Sequence, residues 1–109
     1  MNAAGLKVII NNVAEIINSS VWFDRLTSEG ISADELKGTR QEATALAKAL
    51  KATPSKKIES LVAHYDAQLT HALRVFQSDW QLNFLKGFRD AQVVIGFVTS
   101  LCNKAGIRT

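Results

Sequence analysis

The chain has one proline, one cysteine and six glycines in 109 residues, and each scarcity closes off a class of structure. An all-β chain of this length needs many tight turns, and so few glycines and prolines do not supply them. With Cys102 alone, no intrachain disulfide can form, so packing must hold the fold; a lone thiol also suits the reducing cytoplasm better than a secreted scaffold. No apolar run approaches the ~18 residues of a membrane helix. The best candidate, residues 93–101, is half that length, so no membrane contact is expected. The apolar stretch 6–17 is interrupted by Lys7, Asn11, Asn12 and Glu15, with no small-residue cleavage pattern after it, so it does not read as a secretory signal.

What is present is an ordinary globular composition, 47% hydrophobic and 21% charged, enough for one domain across residues 1–109. The net charge of +3 is unevenly placed along the chain. Residues 1–50 carry five lysines and arginines against six acids, a net of −1; residues 51–109 carry eight against four, a net of +4. A mildly basic second half is compatible with nucleic acid or an acidic partner.

Apolar residues recur at helical spacing almost throughout. Leu6, Ile9/Ile10, Val13 and Ile16/Ile17 mark an amphipathic first helix. Asn18-Ser19-Ser20 then offers capping chemistry for a short helix over 21–28 that Gly30 ends. Ser32-Ala33-Asp34-Glu35 reads as a capping box, starting a helix that runs to about residue 52 with Leu36, Thr39, Ala43, Leu46 and Leu50 on one face. Thr53-Pro54 is the firmest punctuation, with the threonine able to cap and the proline suited to the first helical position. Ile58, Leu61/Val62, Tyr65, Leu69, Leu73 and Phe76 carry a further helix. Ser78-Asp79-Trp80-Gln81 repeats the capping-box pattern, so a last helix over 79–104 is predicted to start there. One continuous helix over 54–104 is the competing reading, and residues 92–100 alone would also suit a buried strand. The fold class is all-α, a small bundle of four to five helices with a long C-terminal hairpin or rod.

The last helix is the most informative element. Trp80, Phe84, Phe88, Ala91, Ile95, Val98 and Cys102 fall within about 80° of one another on a helical wheel. Val93, Phe97 and Leu101 form a second arc, so the helix should need covering on two sides.

Residues with chemical potential are few and scattered. His64 and His71 stand seven apart, about 10 Å along a helix, where a chelating helical pair stands four apart; no metal or other cofactor is expected. Cys102 has no histidine near it in sequence and reads as a small buried hydrophobe. Asp34 and Glu35 are explained by the helix dipole. No nucleophile, base and orienting residue can be assembled, so the chain does not read as an enzyme. Lys86-Gly87-Phe88 matches three positions of an RNA-recognition consensus, but Arg89 and Asp90 break the match and the context is helical rather than a strand.

Two functional expectations follow. The first is a non-enzymatic protein–protein interaction module, an adaptor, regulator or assembly subunit that self-associates or docks on a partner. Trp80, Phe84, Phe88 and Phe97 would be its anchors, with Lys86 and Arg89 at the polar rim. The alternative is a small nucleic-acid-binding regulator. It would use Lys37 and Arg40 at a helix-turn-helix-like corner around Gly30, or the cluster Lys51, Lys56 and Lys57 around Pro54.

Overall fold

A computed structural model describes the backbone of all 109 residues and every side chain except that of residue 79. Five helices account for most of the chain: α1 (Ala3–Asn18), α2 (Ser20–Ser28), α3 (Ala33–Ala52), α4 (Ser55–Asp79) and α5 (Phe84–Lys104). The architecture is an all-helical bundle, and residues 92–100 lie within α5 rather than in a strand.

Local chemistry sets most of the boundaries. The Asn2 side chain accepts from the Gly5 amide at 2.8 Å to open α1, and the Ser32 hydroxyl accepts from the Glu35 amide at 3.1 Å to open α3. Gly30 takes φ 97° between α2 and α3, a left-handed conformation that favours glycine. Gly106 does the same after α5 at φ 77°.

The capping chemistry departs from expectation at three places. The last helix starts five residues late. Asn83 caps α5 by accepting from the Lys86 amide at 3.1 Å, while the Ser78 hydroxyl donates back to the Arg74 carbonyl at 3.0 Å and α4 runs on to Asp79. Chain 54–104 is therefore two helices, and Trp80 belongs to the connection, not to the stripe of α5. Thr53 serves the helix before it rather than the one after. Its hydroxyl donates to the Ala49 carbonyl at 2.7 Å, and Pro54 occupies the N-cap position. Only half of the box at Ser32 forms, because the Glu35 carboxylate is held by Arg89 and Gln92 of α5 instead.

The four long helices form a ring. α1 packs on α3 and α4, and α5 packs on α3 and α4. Lys7 reaching the Thr53 carbonyl and Arg40 reaching the Ile17 and Ser19 carbonyls make α1 and α3 antiparallel. The α4–α5 hairpin is antiparallel by connection. At one end of the bundle α1 and α4 finish, α3 and α5 begin, and α2 lies across them. At the other end stand the start of α1, the Thr53-Pro54 link, the start of α4 and the end of α5.

The core runs through all five helices as one cluster, including Leu6, Ile10, Leu26, Leu36, Leu46, Leu69, Phe76, Phe88 and Ile95. The buried residues of α5 are Gly87, Phe88, Ala91, Val94, Ile95, Val98, Leu101 and Cys102, which together span about 140° of the helical wheel. Val94 rather than Val93 completes this face. Val93 is 64% exposed, and Phe97 lies half-buried at its margin. The helix buries one broad side, not two, and its own chain covers that side.

Candidate functional site

The ends of the bundle differ in chemistry. The end crossed by α2 is aromatic. Buried Trp22 packs against Trp80, with ring centroids 6.1 Å apart, and edge-on to Phe84 at 5.7 Å. The Arg25 guanidinium stands 5.2 Å from the Phe84 ring centroid. The Trp22 indole N–H has no hydrogen-bond partner among the described residues. Around this cluster in sequence lie Val21, Leu82 and Leu85, all exposed, with Leu82 open to solvent over 86% of its surface. Trp80 also helps to line a groove of about 190 Å³ with Ile9, Val13, Ile16 and Phe76.

The expected anchors divide here. Trp80 and Phe84 are half-buried at this end and Phe97 is half-buried on the flank of α5. Phe88 is a core residue with none of its surface exposed. Lys86 and Arg89 are exposed, and Arg89 is already engaged. It bonds the Glu35 carboxylate and donates to the Gln92 side-chain oxygen at 2.9 Å. The Gln92 amide donates to Glu35 at 2.9 Å and to the Thr39 hydroxyl at 3.2 Å. The Gln92 hydrogen bond and then the Arg89 guanidinium hold the Glu35 carboxyl below its ordinary pKa. This network ties the start of α3 to the start of α5.

The opposite end is basic. Residues 1–8, 49–60 and 101–109 meet there, and they contain Lys7, Lys51, Lys56, Lys57, Lys104 and Arg108, six of the 13 lysines and arginines. The acidic side chains in those segments number one, Glu59, whose carboxylate accepts from the Ala3 amide at 3.0 Å. Asp66 of α4 also reaches this end, bonding the Met1 ammonium at 3.1 Å, so the side chains here sum to +4 and those of the rest of the chain to −1. Lys51 shares a groove with Lys7, Asn11 and Ala47, and one turn along α3 Lys48 lines a neighbouring groove together with Glu15 of α1. Lys57 and Lys104 line a second pocket, of about 360 Å³.

The structure thus gathers Lys51, Lys56 and Lys57 and separates them from Lys37 and Arg40, which sit about 20 Å away at the start of α3. Arg40 is occupied there. Its Nε and Nη2 donate to the Ile17 and Ser19 carbonyls, each at 2.8 Å, and its guanidinium lies 4.9 Å from the Phe23 ring centroid. The helix-turn-helix corner exists as a shape, with Lys37 exposed on its second helix, but this arginine closes the end of α1. Sequence reading missed Lys7, Lys104 and Arg108, which are remote from Pro54 in the chain and join it only through the ring of helices.

Cys102 is buried, and burial pushes its thiol up from its ordinary pKa. His64 and His71 are exposed on α4. Among the described residues no group of three histidine, cysteine or carboxylate side chains could hold a metal ion, and no helix is long and apolar enough to cross a membrane.

No protein-family model matches the chain, and comparison with curated proteins and with solved structures returns no significant match.

Proposed function

We propose that this protein is a non-enzymatic binding module whose main ligand is a nucleic-acid backbone, held at the basic end of the bundle. The observation that carries this reading is the charge segregation: six lysine and arginine side chains gather at that end with two carboxylates, Glu59 and Asp66, both bound to the start of the chain. A local field of this kind attracts phosphates, and fixed cations in place of condensed counterions make such binding fall steeply with salt. A single thiol is in keeping with a cytoplasmic setting.

Anisotropy of a fluorescent DNA duplex, titrated with the protein at several salt concentrations, tests the reading. About five phosphate contacts predict a fall in affinity of roughly 10²–10³ between ~50 and ~200 mM salt. Lys51→Glu with Lys56→Glu should abolish binding, while Leu82→Asp should leave it unchanged. Binding indifferent to salt and to both lysines would remove nucleic acid as the ligand.

A second reading is favoured by Leu82, whose exposure next to Trp80 and Phe84 is unusual for a leucine beside an aromatic cluster. The occupant we infer is a short amphipathic helix of another protein, inserting one apolar side chain into the groove beside Trp80. The exposed large apolar residues at this end, Val21, Leu82 and Leu85, make a small patch, which favours a short segment over the broad face a second copy would cover. Selection from a displayed peptide library should enrich apolar helical sequences that bind the native protein and lose Leu82→Asp. Concentration-dependent dimerisation abolished by Leu82→Asp would instead make the occupant a second copy.

A further inference from the structure

Beside the Tyr65 bend in α4, the structure holds a pocket that neither expectation used. α4 is helical on both sides of Tyr65, but Tyr65 itself has φ −123° and ψ 22°. No proline or glycine stands near this bend. The last turn of α5 passes alongside. Lys57, Ser60, His64 and Tyr65 from α4 and Lys104 from α5 line a space of about 360 Å³, floored by Leu61 and Ala105.

We propose that this pocket binds a single phosphate monoester. Every polar side chain that lines it offers a hydrogen to an anion: two ammonium groups, two hydroxyls and an imidazole. No carboxylate lines it. The nearest acids by sequence are committed elsewhere, Glu59 to the Ala3 amide and Asp66 to the Met1 ammonium at 3.1 Å. Lys57 and Lys104 come from different helices, so two like charges converge on one space without a counter-charge among its lining residues. An anion between them relieves that repulsion, and charge-assisted bonds to phosphate oxygens are the strong class of hydrogen bond.

The end of α5 beside the pocket presents the negative end of the helix dipole, which the Lys57 and Lys104 ammonium groups must outweigh for an anion to bind. The Leu101, Cys102 and Asn103 carbonyls accept from the Ala105, Ile107 and Gly106 amides. Gly106 adds no side chain, and the Lys57 ammonium lies 3.9 Å from where its Cβ would stand. A Cβ at 106 would therefore stand in ordinary van der Waals contact with that ammonium, and it is the φ of 77° that favours glycine there.

The same chemistry comes from two sources, the terminal phosphate of a nucleic-acid strand or a free phosphorylated small molecule. The proposal rests on the nucleic-acid reading only for the first source. The test follows backbone amide resonances during titration with inorganic phosphate, with a 5′-phosphorylated oligonucleotide and with the same oligonucleotide bearing a 5′-hydroxyl. Saturable shifts confined to residues 57–65 and 102–106 are expected with phosphate. Lys57→Ala with Lys104→Ala should weaken them at least about tenfold, and Lys51→Ala should not. The conservative pair Lys57→Arg with Lys104→Arg should retain binding, which separates lost charge from lost fold. A phosphorylated strand that binds about tenfold tighter than the hydroxyl form identifies a strand end as the ligand; equal strand affinities with saturable phosphate binding identify a small molecule. Absence of saturation by phosphate and by both strands, or shifts unchanged in the alanine pair, overturns the pocket. Salt-dependent duplex binding that survives the alanine pair would then leave the basic end standing without it.

Discussion

A methyl group on residue 87 would lie 2.5 Å from the Cα of Trp80. That distance explains why a helix of strong apolar pattern contains glycine in its first turn: the chain leaving α4 crosses α5 at van der Waals contact. Gly87→Ala gains helix propensity of about 0.5–1 kcal/mol, but the clash is with backbone, which moves less readily than a side-chain tip. Overpacking should win, leaving the variant about 1–3 kcal/mol less stable in urea denaturation. Gly96 is the control. A Cβ there meets nothing within 4 Å, so Gly96→Ala should stabilise by about 0.5–1 kcal/mol. The sequence shows both glycines inside one helical pattern and cannot rank them, because the difference lies in a neighbour supplied by the preceding turn.

Elements were legible wherever apolar spacing set them, and misread where two polar signals competed. The faces of α1 and α3 follow Leu6-Ile10-Val13-Ile17 and Leu36-Ala43-Leu46-Leu50, all buried as their period requires. The start of α5 was misplaced because Ser78 and Asn83 both present capping chemistry, and residue type alone does not choose between them. The tertiary fold chooses, by carrying α4 one turn further before the chain reverses. Asn83→Ala should therefore cost about 0.5–2 kcal/mol, while Ser78→Ala, whose hydroxyl merely returns to the Arg74 carbonyl, should be near neutral. Chemical denaturation of the two variants checks the ranking.

The join of α3 to α5 carries a pH dependence of known sign. The Glu35 carboxyl titrates below its ordinary range in the folded chain, so the unfolded chain binds its proton first as acid is added. Its contribution to stability is full above the ordinary carboxylate range and is lost as pH falls through the lowered value. The advantage of the native chain over Glu35→Gln should thus be present at neutral pH and disappear in acid. Denaturation midpoints of both proteins across that range measure it. An advantage that persisted unchanged in acid would mean that the carboxylate is not the group that matters.

At the scale of the whole molecule, topology draws to one end of the bundle a positive charge that the sequence already places mostly in its second half. Summed along the sequence, the two halves differ modestly, and Lys7 falls in the acidic one. Folding places the first turn of α1 beside the Thr53-Pro54 link, as the Lys7 bond to the Thr53 carbonyl at 2.8 Å records, and brings the end of α5 to the same place. The cluster around Pro54 was visible in the sequence; the residues that triple-flank it were not, because helix length and direction decide which distant segments share an end. The aromatic stripe shows the converse. Trp80, Phe84 and Phe88 are evenly spaced in sequence, yet they fall in a loop, at a helix start and in the core, because a break between the first two cancels the helical period.

One buried atom gives this bundle a built-in reporter. The Cys102 sulfur is enclosed near the end of α5, the helix that contacts each of the other four in the ring and across it. A thiol-specific reagent can reach it only when that helix departs, so the labelling rate multiplies the reagent's intrinsic rate by the population of the open form. If α5 leaves only when everything does, labelling should be slowed by the global unfolding constant, on the order of 10³–10⁸ for a small domain, and should accelerate with urea in parallel with unfolding. Faster labelling that ignores low urea would reveal α5 peeling away by itself. The only cysteine in the chain thus measures, without any engineered residue, whether the five helices live and die as one cooperative unit.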